Sequence, residues 1–141
     1  MAILAGCIYH PGSFEDPVGT SFPGTRATVG CLDVAVAAAK DDRATGPVIE
    51  YSFGNRCDHR VVVDLRGVRA VGRDATGQTR ELRLFDPDAE VKPAELDALV
   101  AASEQLEYLD RDGAALLSVC VDIGGVESDT PRREQWICVA S

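Results

Sequence analysis

Five cysteines are the residues of this chain with the clearest chemical potential, because thiols form disulfides, bind metals or act as nucleophiles. Their spacing includes no Cys-x-x-Cys pair and no tight cluster with histidine, so it contains neither a zinc-knuckle nor a thioredoxin-type motif. Five cysteines in 141 residues are also more than a reduced cytosolic protein usually carries. We therefore expect disulfides, with one cysteine left over. The five are Cys7, Cys31, Cys57, Cys120 and Cys138.

Hairpin geometry predicts which cysteines pair. Opposite residues of an antiparallel hairpin share a constant index sum, which is set by the centre of the turn. A break at residues 40–47 places Cys31 opposite residue 56 or 57, and Cys120 and Cys138 are symmetric about the middle of a second break. We predict the bonds Cys31–Cys57 and Cys120–Cys138, each worth about 3 kcal/mol in the chain-entropy account. The alternative is four reduced, buried thiols that act as small apolar side chains.

The remaining cysteine, Cys7, ends the sequence Leu4-Ala5-Gly6-Cys7, which resembles the lipobox of bacterial lipoproteins. The resemblance implies a lipid on Cys7 and a membrane anchor. A secretory signal has a basic start and about 7 to 15 apolar residues, whereas only three residues precede this motif, so we expect the native start to lie upstream. The alternative is that residues 4–8 form a first β-strand with Cys7 buried.

The other reactive side chains do not form a recognisable catalytic or metal-binding set. Cys57, Asp58 and His59 are close in sequence, but a nucleophile needs its base within hydrogen-bond reach, so Cys57 and His59 would have to lie on one side of an irregular loop. The acidic segments 86–90 and 110–113 offer oxygen ligands for calcium, but neither matches the EF-hand loop. No phosphate-binding loop or serine-hydrolase elbow is present. The sequence therefore predicts no catalytic residue, no metal site and no cofactor.

The net charge of −9, from 23 acidic and 14 basic residues, makes nucleic acid an unfavourable partner. Arginines do gather between residues 66 and 83, but acidic residues alternate with them. This pattern predicts a solvated strand face with cross-strand ion pairs.

Period-two alternation of apolar residues predicts β-strands along most of the chain. Val48–Phe53 places its large apolar residues on one face, and turn residues predict a hairpin around 72–78. The stretch 93–109 fits both helical and strand spacing, so we expect a short helix or irregular crossover before a strand near 106–109. About seven short strands predict an all-β fold, an Ig-like antiparallel β-sandwich with room for one short helix.

The sequence divides into three parts by composition. We expect residues 1–7 to be a truncated signal with its lipobox, and residues 29–141 to be the Ig-like sandwich domain. Residues 8–28 have three prolines, three glycines and no apolar period, which is typical of a tether. Phe14 and Phe22 offer the alternative that this segment is held against the domain.

Three short motifs each contain one of the cysteines: Gly30-Cys31-Leu32-Asp33-Val34, Asn55-Arg56-Cys57 and, near the predicted last hairpin, Val119-Cys120-Val121-Asp122. With these motifs, most of residues 30–123 resembles uncharacterised bacterial envelope lipoproteins that have a single Ig-like sandwich. The resemblance implies a fold and a location but no activity.

The expected function follows from the lipobox, the tether, the disulfides and the missing catalytic set. We expect a non-catalytic module anchored by lipid in the bacterial cell envelope, at the outer membrane or the cell surface. It would serve adhesion, assembly or structural support, with the membrane and another envelope or surface protein as partners. One alternative is a secreted ligand-binding or inhibitor domain, and another is a hydrolase that uses His59 with the acidic loops.

Overall fold

The structure, a computed structural model, describes residues 2–4, 8–86 and 91–141. Those residues form eleven β-strands and no helix, which confirms the predicted all-β class with more strands than the seven expected. No helix with the length and apolar character of a membrane span occurs in these ranges. The strands are β1 (Ala2–Leu4), β2 (Thr25–Val29), β3 (Leu32–Ala39), β4 (Val48–Asn55), β5 (Val61–Val63), β6 (Arg69–Asp74), β7 (Thr79–Leu84), β8 (Ala94–Leu96), β9 (Ala101–Asp110), β10 (Leu116–Asp122) and β11 (Trp136–Ala140).

The long strand β9 joins two antiparallel layers of a sandwich. Residues 101–107 of β9 pair with β4, and β3 and β2 continue this layer, which we call the first sheet. Residues 108–110 of β9 pair with β7, and β6, β10 and β11 continue the second sheet. β11 also contacts β3 and β2, so the last strand returns to the first sheet. Two short elements complete the fold: β1 pairs with β9, and β5 pairs with β8.

The core between the sheets is built mainly from alternate residues of the strands from β2 to β11, as the period-two pattern predicts. Ile49, Tyr51 and Phe53 of β4 point inward and are fully buried. The Tyr51 and Tyr108 hydroxyls lie 2.6 Å apart and satisfy each other within this apolar core. Burial raises the pKa of Tyr108 to about 12, because the charged phenolate is disfavoured away from water.

The hairpin predicted around residues 72–78 is present. β6 and β7 pair from Ala70 opposite Leu82 to Arg73 opposite Thr79. Gly77, with φ of +84°, takes the left-handed position of the turn, where a side chain would be strained. The amide of Gly77 donates to the Asp74 carbonyl at 3.0 Å and closes the turn.

The helix allowed for within residues 93–109 is absent, and two strands occupy the stretch instead. β8 and β9 are separated by a turn in which Leu99 has a positive φ of +56°. β9 is ten residues long because β4 supplies a backbone partner to each of its residues from 101 to 107. These tertiary hydrogen bonds override the helical spacing of the leucines.

The segment 8–28 differs from the tether predicted by its composition, because its aromatic residues pack on the outer face of the first sheet and its last four residues are part of β2. Tyr9 is fully buried, and its ring stacks with that of Phe22 at a centroid distance of 5.8 Å. Both rings join Ala35 of β3 in a second apolar cluster. The Tyr9 ring fits because Gly54 has no side chain; a Cβ there would lie 2.1 Å from it. The alternative in which aromatic residues hold the segment is the correct one.

Candidate functional site

The first disulfide lies where β3 begins and β4 ends. Leu32 and Asn55 are opposite each other in the ladder, so the chain positions just outside them meet at this end. Cys31 and Cys57 are bonded there, with an S–S distance of 1.97 Å and Cα atoms 5.5 Å apart, as predicted. Arg56 is the residue that directly faces Cys31, and its amide donates to the Cys31 carbonyl at 2.8 Å.

The second disulfide lies within the ladder of β10 and β11. Cys120 and Cys138 are directly opposite in register and bonded, with an S–S distance of 1.97 Å, which confirms the second predicted pair. Cys138 is exposed and Cys120 is half-buried. Cys7 lies outside the described residues, so its lipidation stays a prediction.

His59 lies beside the first disulfide. Its Nε2 is 3.9 Å from Cys31 Sγ, and its Nδ1 is 3.4 Å from Asp58 Oδ1. The donor atoms of Cys31, Cys57 and His59 all lie within 4.8 Å of one another. The structure thus brings together Cys57 and His59, the pair that a cysteine–histidine dyad would require, whereas the hydrolase alternative pairs His59 with the acidic loops. The Cys57 sulfur is bonded to Cys31, however, so in this form it is neither a nucleophile nor a thiolate ligand.

The loop that carries His59 is fixed by the side chain of Asn55, which is fully buried. Its Nδ2 donates to the carbonyl oxygens of His59 at 2.9 Å, Leu96 at 3.1 Å and Asp97 at 3.0 Å. Its Oδ1 accepts a hydrogen bond from the Cys57 amide at 2.9 Å. One side chain therefore sets the position of Cys57 and the backbone of His59 together, although the His59 ring itself is 64% exposed.

A buried carboxylate, Asp33, holds the N-terminal segment at the same end of the first sheet. Its Oδ2 accepts hydrogen bonds from the Tyr9 hydroxyl at 2.6 Å and the Gly12 amide at 2.7 Å. Its Oδ1 lies 3.2 Å from both Thr28 Oγ1 and Arg56 Nε. Burial and the adjacent carboxylate raise the pKa of Tyr9, because both disfavour a second negative charge.

Glu127, in the loop after β10, reaches across to the first disulfide. Its buried side chain accepts a hydrogen bond from the Cys31 amide at 2.7 Å. Gly30 has a φ of +55°, and a Cβ on it would lie 1.9 Å from Glu127 Oε2, so this approach requires glycine. The contact joins the turn between β2 and β3 to the loop that follows β10 of the second sheet.

The acidic segment 110–113 is used to close turns. Asp110 Oδ2 accepts hydrogen bonds from the amides of Asp112 at 3.1 Å and Ala114 at 3.0 Å. Arg80 bridges Asp110 and Asp74, with distances of 3.3 Å and 2.8 Å. The Arg80 hydrogen bond holds the pKa of Asp74 well below its usual range, and the Ala114 amide lowers that of Asp110. Of the segment 86–90, only residue 86 lies within the described ranges.

The arginine-rich face between residues 66 and 83 contains the kind of ion pairs that the charge pattern predicts. Arg69 of β6 pairs across the hairpin with Glu81 of β7. The Arg69 guanidinium also lies 5.7 Å from the centre of the half-exposed Trp136 ring. Arg66 pairs with Asp64 at 3.0 Å. This surface is accounted for by structural contacts within the second sheet and the loop beside it.

Sequence reasoning missed the buried polar residues Tyr9, Asp33, Asn55 and Glu127. Asp33 interrupts an apolar strand, and Tyr9 is one of only three tyrosines in the chain, so each had a weak signal. Glu127 had none, because its contact with Cys31 joins residues 96 positions apart.

These features define a class: an all-β, antiparallel sandwich protein with two disulfide bonds. The chain matches no protein-family model, and no curated protein matches its sequence. A solved structure with a similar fold is that of the yjhA protein from Bacillus subtilis, with a TM-score of 0.53 and 10% sequence identity. The match covers 83% of this chain and 96% of that one. At this identity the likeness concerns the fold alone.

Proposed function

We propose that this chain is a non-catalytic module of the bacterial cell envelope, anchored by lipid on Cys7 at the outer membrane or cell surface. It serves adhesion, assembly or support of a larger surface complex through contact with another envelope protein. The observation that supports this most is the pairing of four cysteines in two disulfides. Disulfides form and persist in oxidising compartments outside the cytoplasm, where an unpaired fifth cysteine has a natural use as a lipid attachment point.

A structural role for the charged groups supports the non-catalytic part of the proposal. The buried carboxylates of Asp33, Asp122 and Glu127 each accept hydrogen bonds from backbone amides. Asp33 and Asp122 also face the guanidinium groups of Arg56 and Arg132, at 3.2 Å and 3.0 Å. Carboxylates held in this way keep segments together and have few lone pairs left for substrate chemistry.

The test is the mature N-terminus of the protein made from its full gene in its own host. We expect intact-mass and peptide analysis to give an acylated Cys7 as the first residue, and the protein to fractionate with membranes. Cys7→Ser should abolish acylation and release the protein, whereas Ser13→Ala, six residues further on, should change neither. Native protein with an unmodified Cys7 and residues 2–4 retained would contradict the anchor.

A second candidate is a secreted ligand-binding or inhibitor domain, and one observation favours it. β1 pairs with β9 from Ala2 opposite Ser103 to Leu4 opposite Ala101. Cleavage before Cys7 would remove β1 and leave that edge of β9 without this partner, whereas an unprocessed chain keeps it. The same mass analysis separates the candidates, because the secreted form is found in the medium without lipid.

A further inference from the structure

The first disulfide has three features that together point to chemistry of its own. It lies outside the strand ladder, both of its cysteines are half-buried, and an imidazole contacts one of its sulfurs. The second disulfide is part of a ladder, where Cys120 is also opposite Val71 of β6. Greater exposure does not distinguish the first disulfide, since Cys138 of the second pair is the more exposed cysteine. The feature that distinguishes the first disulfide is its ionisable neighbour, the imidazole.

His59 is placed to act on the Cys31 sulfur. Nε2 faces Cys31 Sγ at 3.9 Å, while Nδ1 faces the Asp58 carboxylate at 3.4 Å. Because the Asp58 carboxylate can accept the Nδ1 proton, a ring that has a proton on both nitrogens is a cation whose Nε2–H is directed toward the sulfur. A thiolate next to such a cation is a better leaving group, because its pKa is lowered.

We propose that Cys31–Cys57 is a thiol–disulfide exchange site, at which an external thiolate attacks Cys57 Sγ and Cys31 Sγ leaves beside His59. The new bond joins the incoming sulfur to Cys57, and the electron pair of the broken S–S bond goes to Cys31. The imidazolium of His59 gives its Nε2 proton to that sulfur. A second thiol then attacks the mixed disulfide, so two thiols supply the two electrons that reduce the bond.

Asn55 keeps this geometry in place during exchange. It binds the Cys57 amide and the His59 carbonyl, so Cys57 stays near His59 when its bond to Cys31 opens. Glu127 holds the Cys31 amide from the other side. The substrate class is an accessible thiol, and the intermediate is a protein covalently linked to it through Cys57. This inference does not depend on the lipid anchor or on the envelope location.

The experiment treats the oxidised Cys7→Ser protein with reduced glutathione, quenches with acid, alkylates, and maps both disulfides in the same sample. The second disulfide is an internal reference, because both bonds meet the same thiolate concentration. We expect Cys31–Cys57 to open about tenfold faster than Cys120–Cys138, with glutathione found on Cys57 and the alkyl group on Cys31. Exposure alone predicts the opposite order.

His59→Ala should reduce the ratio of the two opening rates by about threefold or more, while the melting temperature stays the same. His10→Ala, which changes a histidine in the N-terminal segment, should leave the ratio unchanged. The proposal is overturned if glutathione is found on Cys31, if the second disulfide opens first, or if His59→Ala leaves the ratio as it was.

Discussion

The two disulfides occupy similar positions along the chain, each across one hairpin, but their surroundings differ. Both join consecutive strands, and both follow from the symmetry of a hairpin. Cys120–Cys138 adds a covalent link to strands that already pair along their length. Cys31–Cys57 lies at the strand ends, among the polar groups of His59, Asn55 and Glu127. The two bonds have sequence separations of 26 and 18 residues, and they differ more clearly in the groups that contact them.

Removing either disulfide should cause the largest loss in the free energy of unfolding, and the two losses test this comparison directly. The chain-entropy account predicts similar losses of about 3 to 4 kcal/mol for Cys31→Ala/Cys57→Ala and for Cys120→Ala/Cys138→Ala. We expect the first pair to cost about 1 kcal/mol more, because the Glu127 contact with the Cys31 amide also loosens. Urea unfolding of both double variants measures the difference. A greater loss for the second pair would reverse the comparison.

Asp33→Ala should have the next largest effect, again at the first disulfide's end. Removing the carboxylate leaves the Tyr9 hydroxyl and the Gly12 amide without their acceptor, so we expect a loss of about 2 to 4 kcal/mol in the free energy of unfolding. Proteolysis should also cut within the released residues 8–24. Asp58→Ala, a fully exposed carboxylate nearby, is the matched control and should have little effect.

Low pH should destabilise the second sheet, because the Asp74 carboxylate becomes protonated. Its pKa is lowered in the folded protein by the Arg80 hydrogen bond, so its contribution to stability is complete above about pH 4 and is lost as the pH falls through the folded value. We expect the melting temperature of Asp74→Asn to fall less steeply below pH 4 than that of the wild type. Asp129→Asn, in an exposed loop, should follow the wild-type slope. Parallel curves for all three proteins would refute this role of Asp74.

His59→Ala should have the smallest effect on stability, because its side chain is 64% exposed. We expect a change within about 0.5 kcal/mol by thermal or urea unfolding. A large loss would mean that the imidazole is structural, and the first disulfide's surroundings would then differ from the second's in packing and not in reactivity. A measured hydrolytic activity lost in this variant, with stability kept, would instead support the hydrolase alternative.

The sequence predicted those features that depend on local periodicity and failed where distant segments meet. Index sums placed both disulfides, and alternation placed Ile49, Tyr51 and Phe53 in the core. The tether prediction was wrong because the packing of Tyr9 depends on the missing side chain of Gly54, 45 positions away, information that no local window contains. The helix allowed for near residue 100 failed for the same reason, since β4 supplies the hydrogen bonds that make β9 a strand.

The burial of Tyr9 also determines how far an anchored molecule would stand from the bilayer. Only Ile8 lies between Cys7 and the buried ring, and two fully extended residues span about 7 Å. A lipid on Cys7 would therefore hold the domain at headgroup height, with the exposed side chain of Ile8 next to the lipid. The anchored protein would stay close to the membrane surface, and it could contact only partners that also lie there.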